Sequence, residues 1–137
     1  MSLSNPYAQY RQNSVETASP TRLVVMLYDG AVRFLSQGLA AMQAGQHVQQ
    51  SILIGKAQAI IAHLHDTLDT EIGSAFAQSL AKIYTALLAT LTQANIEDSP
   101  KPVENAIEIL RELRETWAEV DRQCHNKQTR SRELVAA

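Results

Sequence analysis

Few residues in this chain could do chemistry: four histidines, one cysteine and a scatter of carboxylates. Helical bundles that hold two irons place a glutamate three residues before each liganding histidine, so that both point inward on one face. His47, His63, His65 and His125 are preceded at that spacing by Ala44, Ile60, Ala62 and Arg122, none of them a carboxylate. His63 and His65 stand two apart, which sends them to different sides of a helix and denies them a common metal. His65 and Asp69 have the i,i+4 spacing of a helical surface contact, a simpler reading than a functional dyad. Cys124 is alone, so no internal disulfide forms. Near the C-terminal end of a helical segment it also lacks the positive helix-start environment that activates a thiol. No glycine-rich phosphate loop and no nucleophile elbow occur. The residues therefore predict no catalytic site, no cofactor and no metal.

Two other groups call for a chemical reading. Tyr7 and Tyr10 sit on a polar arm ahead of the first apolar-periodic segment, where aromatic surface either docks on the body or meets a partner. Arg122, Lys127, Arg130 and Arg132 cluster near the C-terminus. Without aromatic platforms or a wider basic patch they read as a solvated tail. Net charge is −2, which gives no electrostatic case for nucleic acid or an acidic membrane surface.

The elements that must carry these residues are helices. In a chain of 137 residues, 45% hydrophobic and 19% charged, one globular domain is expected. No unbroken apolar run of bilayer-spanning length is evident, and no signal core, which predicts a cytoplasmic protein without membrane insertion. Ser19-Pro20 is a cap-then-proline start, followed by Leu23, Met26, Leu27, Phe34 and Leu35 at helical spacing until Gly45. A second helix is predicted over about 48–69, with Leu53, Ala57, Ile60, Ile61, Leu64 and Leu68 on its stripe. A third is predicted over about 74–96 with Phe76, Leu80, Ile83, Tyr84, Leu87 and Leu91. Asp98-Ser99-Pro100 starts the fourth, striped by Val103, Ile107, Leu110, Leu113, Trp117 and Val120.

Short connections force neighbouring helices to lie antiparallel. The predicted fold is all-α: an up-down-up-down four-helix bundle over 19–124, with an N-terminal arm over 1–18 and a flexible polar tail over 125–137. Gly73 is read as the loop between helices two and three, and Gly55 as a point of close helix approach. Tyr28, Phe34, Tyr84 and Trp117 are assigned to the bundle itself.

Several segments of the chain resemble the FliS family of flagellar export chaperones. NPYAQYRQNSVETASPTRLVVMLYDGA (Asn5 to Ala31) is similar to the family's N-terminal signature. KAQAII (Lys56 to Ile61), TLD (Thr67 to Asp69), IYTALLATLTQAN (Ile83 to Asn95) and ILRELRETW (Ile109 to Trp117) agree in order and interval. The chain departs from the family pattern at Ala86 to Thr90, where the family carries an extra aromatic and basic residues, and at Pro100 and Pro102. The resemblance implies a cytoplasmic chaperone that binds the C-terminal segment of flagellin, prevents its premature polymerisation and delivers it to the type III export apparatus. It implies contacts with an export-gate component and an anti-sigma factor, and neither metal nor nucleotide.

An amphipathic client needs an apolar groove. The stripe on the second helix is wider than one inward seam requires, which points to Ile54, Ala57, Ile61, Leu64 and Leu68 as partner-binding residues. Tyr7 and Tyr10 are expected to cover that groove when the client is absent. The apolar gain of burying two tyrosines and the entropy of ordering the arm are similar in size, so such a cover would open readily. A wide stripe packed upon by two neighbours and the arm is the plainer reading of the same residues. A different class also fits: a non-enzymatic dimerising adaptor that uses this face on itself, with the homodimer formed when no client is bound.

Overall fold

Four helices follow one another around a closed ring in the computed structural model, which describes residues 19–68 and 74–136. They are α1 (Pro20–Gln43), α2 (His47–Asp66), α3 (Ala75–Glu97) and α4 (Pro100–Ala136). No strand occurs among the described residues. Each boundary has a local cause. Ser19 caps α1 by accepting from the Arg22 backbone N–H at 3.1 Å, and Pro20 takes the first helical position. Gly45 ends α1 at φ +72°, where its N–H reaches Met42 O at 3.2 Å and that of Gln46 reaches Ala41 O at 2.9 Å. That double closure is the Schellman arrangement, which a left-handed residue permits. Ser74 caps α3 through the Ala77 N–H at 3.0 Å.

Antiparallel packing shows in which residues meet. Gly30 faces Ile60, and Gly38 faces Ile54, across the α1–α2 seam. Gln50, at the start of α2, donates to Asn95 Oδ1 and Asp98 Oδ1 at the end of α3, both at 2.9 Å. Ser19 and Thr21 at the start of α1 each donate to Asp121 Oδ1, far along α4, at 2.8 Å. Those two hydroxyls hold the Asp121 carboxyl below its ordinary range.

The core runs along the ring's axis. Tyr28, Ala31 and Leu35 of α1, Ile54, Ala57 and Ile61 of α2, Leu80, Tyr84 and Leu91 of α3, and Val103 and Leu110 of α4 are sealed from solvent. Phe34 and Trp117 are half-buried against this core, in keeping with their assignment to the bundle. The Tyr28 and Tyr84 hydroxyls bond to each other deep inside. Burial pushes both phenols above the ordinary value of 10.0, and for Tyr84 the bond to Tyr28 adds to the rise. Both are therefore neutral, and their stabilisation is fully present below pH ~10, then lost as pH rises beyond the unfolded value. Stability should fall by up to ~1.4 kcal/mol per pH unit for each tyrosine there. An alkaline melt followed at the phenolate absorbance should show Tyr28 and Tyr84 ionising only as the helices unfold, and Tyr84→Phe should reduce that late signal.

Two expectations need correction. Gly55 is exposed with nothing within 4 Å of a Cβ placed there, so it mediates no close approach; Gly30 and Gly38 do that work instead. The α4 helix does not give way to a flexible tail near His125 but continues to Ala136, 37 residues in all and ~55 Å long. From 122 onward every residue with an assigned exposure is exposed. No glycine or proline stops the helix there, and Arg122 bonds Glu119 one turn earlier. By length and composition alone, α1 passes as long and apolar enough to cross a membrane, though charged residues interrupt its apolar run. Its apolar face, through Val25, Tyr28, Ala31 and Leu35, is closed into the core, while Arg22, Asp29 and Arg33 face outward.

Candidate functional site

The four seams of the ring are not equally closed. α1 packs closely on α2 and on α4, α2 packs on α3, and the α3–α4 seam is the most sparsely packed. Small and neutral residues on α3 explain this. Ala86 and Thr90 present short side chains where a leucine or isoleucine would reach α4. On the other wall, Pro102 and Asn105 lie within the first two turns of α4.

The result is a cleft of ≈ 410 Å³, floored by Leu87 and Ala106 and flanked by Ile83, Thr90, Pro102 and Ile109. Ile109 is 38% exposed, high for an isoleucine beside the core. Below it Phe76, 54% exposed, tilts against the Trp117 ring at a centroid distance of 6.1 Å. Val120, 38% exposed, lies one turn further along α4. From Thr90 and Pro102 to Phe76 and Trp117 the seam spans about four helical turns, ~21 Å. An open apolar strip of this length is a surface on which an amphipathic helix can lie.

A second cleft, of ≈ 450 Å³, lies between α1 and α4, but its chemistry is different. Arg114 Nε donates to Asp29 Oδ1 at 2.8 Å and its Nη1 to Glu115 Oε1 at 3.0 Å. The Asp29 carboxylate, then that of Glu115, raise the guanidinium's pKa. Exposed pairs of this kind contribute little, and Val32 is the one apolar residue among the charged groups that line this cleft.

The residues expected to bind a partner are placed elsewhere. Ile54, Ala57 and Ile61 are completely buried and Leu64 is 3% exposed, all within the core cluster. Leu68 is half-buried against it, at the end of α2. These side chains are not a free surface, because α2 has two neighbours, α1 and α3, which consume its wide stripe from both sides. Only Val48 and Ile52 remain as exposed large apolar residues on α2. Tyr7 and Tyr10, and Asp69 in its spacing with His65, lie outside the described residues. His65 Nδ1 instead stands 3.5 Å from Asp66 Oδ1 on the surface. No group of three or more metal-ligating side chains comes together among the described residues.

The cleft residues went unread in the sequence, although a signal was present. The chain departs from the resembled pattern over Ala86 to Thr90 and at Pro102, positions that border the open seam.

Fold and cleft together define an all-α bundle whose distinguishing surface is an apolar interhelical strip. Known proteins of similar sequence narrow the class. The model of the flagellar protein FliS family matches residues 3–124. The chain is 36% identical to the flagellar secretion chaperone FliS of Vibrio cholerae, over 85% of this chain and 89% of the relative. It is 32% identical to that of Campylobacter jejuni, over 90% and 93%, and 32% identical to that of Bacillus subtilis, over 85% and 86%. The chain belongs to the FliS family of flagellar secretion chaperones.

Proposed function

We propose that this chain is a cytoplasmic chaperone for flagellin, binding the client's C-terminal segment in the α3–α4 cleft, preventing its premature polymerisation and delivering it to the type III export apparatus. The observation that carries the reading is the open apolar seam through Ile83, Leu87, Ala106 and Ile109, in a chain of this family. A filament subunit's terminal helices have apolar stripes that associate when uncovered, and an apolar seam between two helices shields one stripe without chemistry. No catalytic step is invoked. Export-gate and anti-sigma-factor contacts belong to the same proposal, as does the arm of Tyr7 and Tyr10 acting as a removable cover of the client surface.

The test is a substitution at the cleft wall. Ile109 is already 38% exposed, so aspartate there should leave the fold intact. Ile109→Asp should weaken capture of a flagellin C-terminal segment by ~10-fold or more, because a charge is placed in an apolar contact. Titration calorimetry on the full chain, with circular dichroism as the control for folding, reads the result. Undiminished affinity in a folded variant would move the client off this seam.

A further inference from the structure

We propose that the occupant of the α3–α4 cleft is an amphipathic helix with lysine or arginine along one edge of its apolar stripe, docked with that edge on α4. The proposal rests on the client reading above and adds the client's charge pattern and its rotational setting.

The two rims of the cleft differ in charge. On α4, at about 100° per residue, Glu108 and Glu112 fall in the row beside Asn105 and Ile109, with Glu104 one step further out. All three are exposed, and no ion pair within the described residues engages them. Glu115 and Glu119, next along the helix, are occupied by Arg114 and Arg122. Arg111, the nearest cation without such a partner, lines the opposite cleft between α1 and α4. Lys101 is the one cation on the α4 rim, at its upper end.

The α3 rim carries Ser79, Ala86, Ala89 and Gln93, with Lys82 as its cation. Gln93 donates to Glu97 Oε1 at 2.6 Å at the top of the seam, a neutral amide that leaves the negative charge there to offset that of Lys82. A helix lying in the cleft therefore meets three unpaired carboxylates against one lysine on the α4 side, and a rim of no net charge on the α3 side. Carboxylates alone would be an ordinary solvated face. Here they border the apolar floor, where a bound helix lowers the local dielectric and strengthens each pair. A glutamate edge turned towards α4 is repelled, so the asymmetry fixes which way round the client lies.

Two synthetic helical peptides decide it, identical in apolar stripe, one with lysines and one with glutamates along the same edge. They are titrated against the full chain, with Trp117 fluorescence as the readout. The lysine peptide should bind about 10-fold more tightly at low salt, with the margin shrinking as salt rises. The margin should vanish in the triple variant Glu104→Gln, Glu108→Gln, Glu112→Gln. If that variant loses helicity, the salt dependence on the unaltered chain carries the test. Equal binding of both peptides at low salt overturns the charged-edge proposal and leaves the client cleft standing. If neither peptide binds, the cleft reading and the proposal fail together. If light scattering shows a dimer that either peptide dissociates, and the triple variant weakens that dimer with no peptide preference, the occupant is a second copy and the proposal is wrong.

Discussion

Ile61→Ala should lower the free energy of unfolding by ~2 to 5 kcal/mol, the cost of removing a fully enclosed branched side chain and leaving a void. Ile61 is completely buried, and its neighbours along α2, Ile54, Ala57 and Leu64, belong to the same enclosed cluster. Packing from α1 and α3 on both sides leaves little room for collapse around the missing atoms. The midpoint of a thermal melt should fall by roughly 8 to 15 °C for a domain of this size. A surface residue given over to a partner would shift stability by no more than ~0.5 kcal/mol. The same substitution thus separates a core role from a binding role. Client affinity measured well below the new melting point should be nearly unchanged, whereas Ile109→Asp should show the reverse pattern.

Gly38→Val should destabilise the protein by about 3 kcal/mol, at the upper end of what overpacking costs. A Cβ on Gly38 would stand 3.1 Å from Ile54 Cγ1, and 3.5 Å from both the Ile54 backbone nitrogen and Leu53 Cβ. Ile54 is completely buried and cannot swing away, and the backbone of α2 cannot yield without shifting the helix. Valine adds two methyl groups beyond that Cβ, so α1 and α2 must separate. Gly38→Ala is the informative control. Its gain in helix propensity, up to ~1 kcal/mol, opposes the single tight contact, so its net effect should be small. Denaturant titration of both variants checks the pair. A valine variant as stable as the alanine one would mean that the seam has slack that the distances deny.

Much of the fold was legible because the signals are local. Ser19-Pro20 and Gly45 delimit α1 as read, and the stripes of α2 and α3 end within a few residues of the observed boundaries. The start of α4 at Pro100 was equally plain. Its far end is not, because a polar composition by itself does not end a helix. Nothing in Gln123 to Glu133 forbids helical dihedrals, and without a glycine or proline the ladder runs on.

The cleft is illegible in the sequence for a different reason. A stripe's width tells how much apolar surface a helix has, but not how many neighbours cover it. α2 looked over-supplied, yet it is sandwiched; α3 looked ordinary, yet its short residues at Ala86 and Thr90 leave the seam to α4 open. Openness is a property of the ring, set by how closely each pair of neighbours packs. A periodicity count along one helix cannot see it, while the run of small neutral residues in the third helix was the one local trace.

The overhang of α4 has a consequence for how this protein can vary. Residues 123–135 are exposed throughout and add little to the bundle's all-or-none unfolding. Substitutions there are screened only for keeping the helix and staying soluble. That stretch can acquire a new interaction, or lose one, at no cost to foldability, a freedom denied to every other part of the helix that carries it.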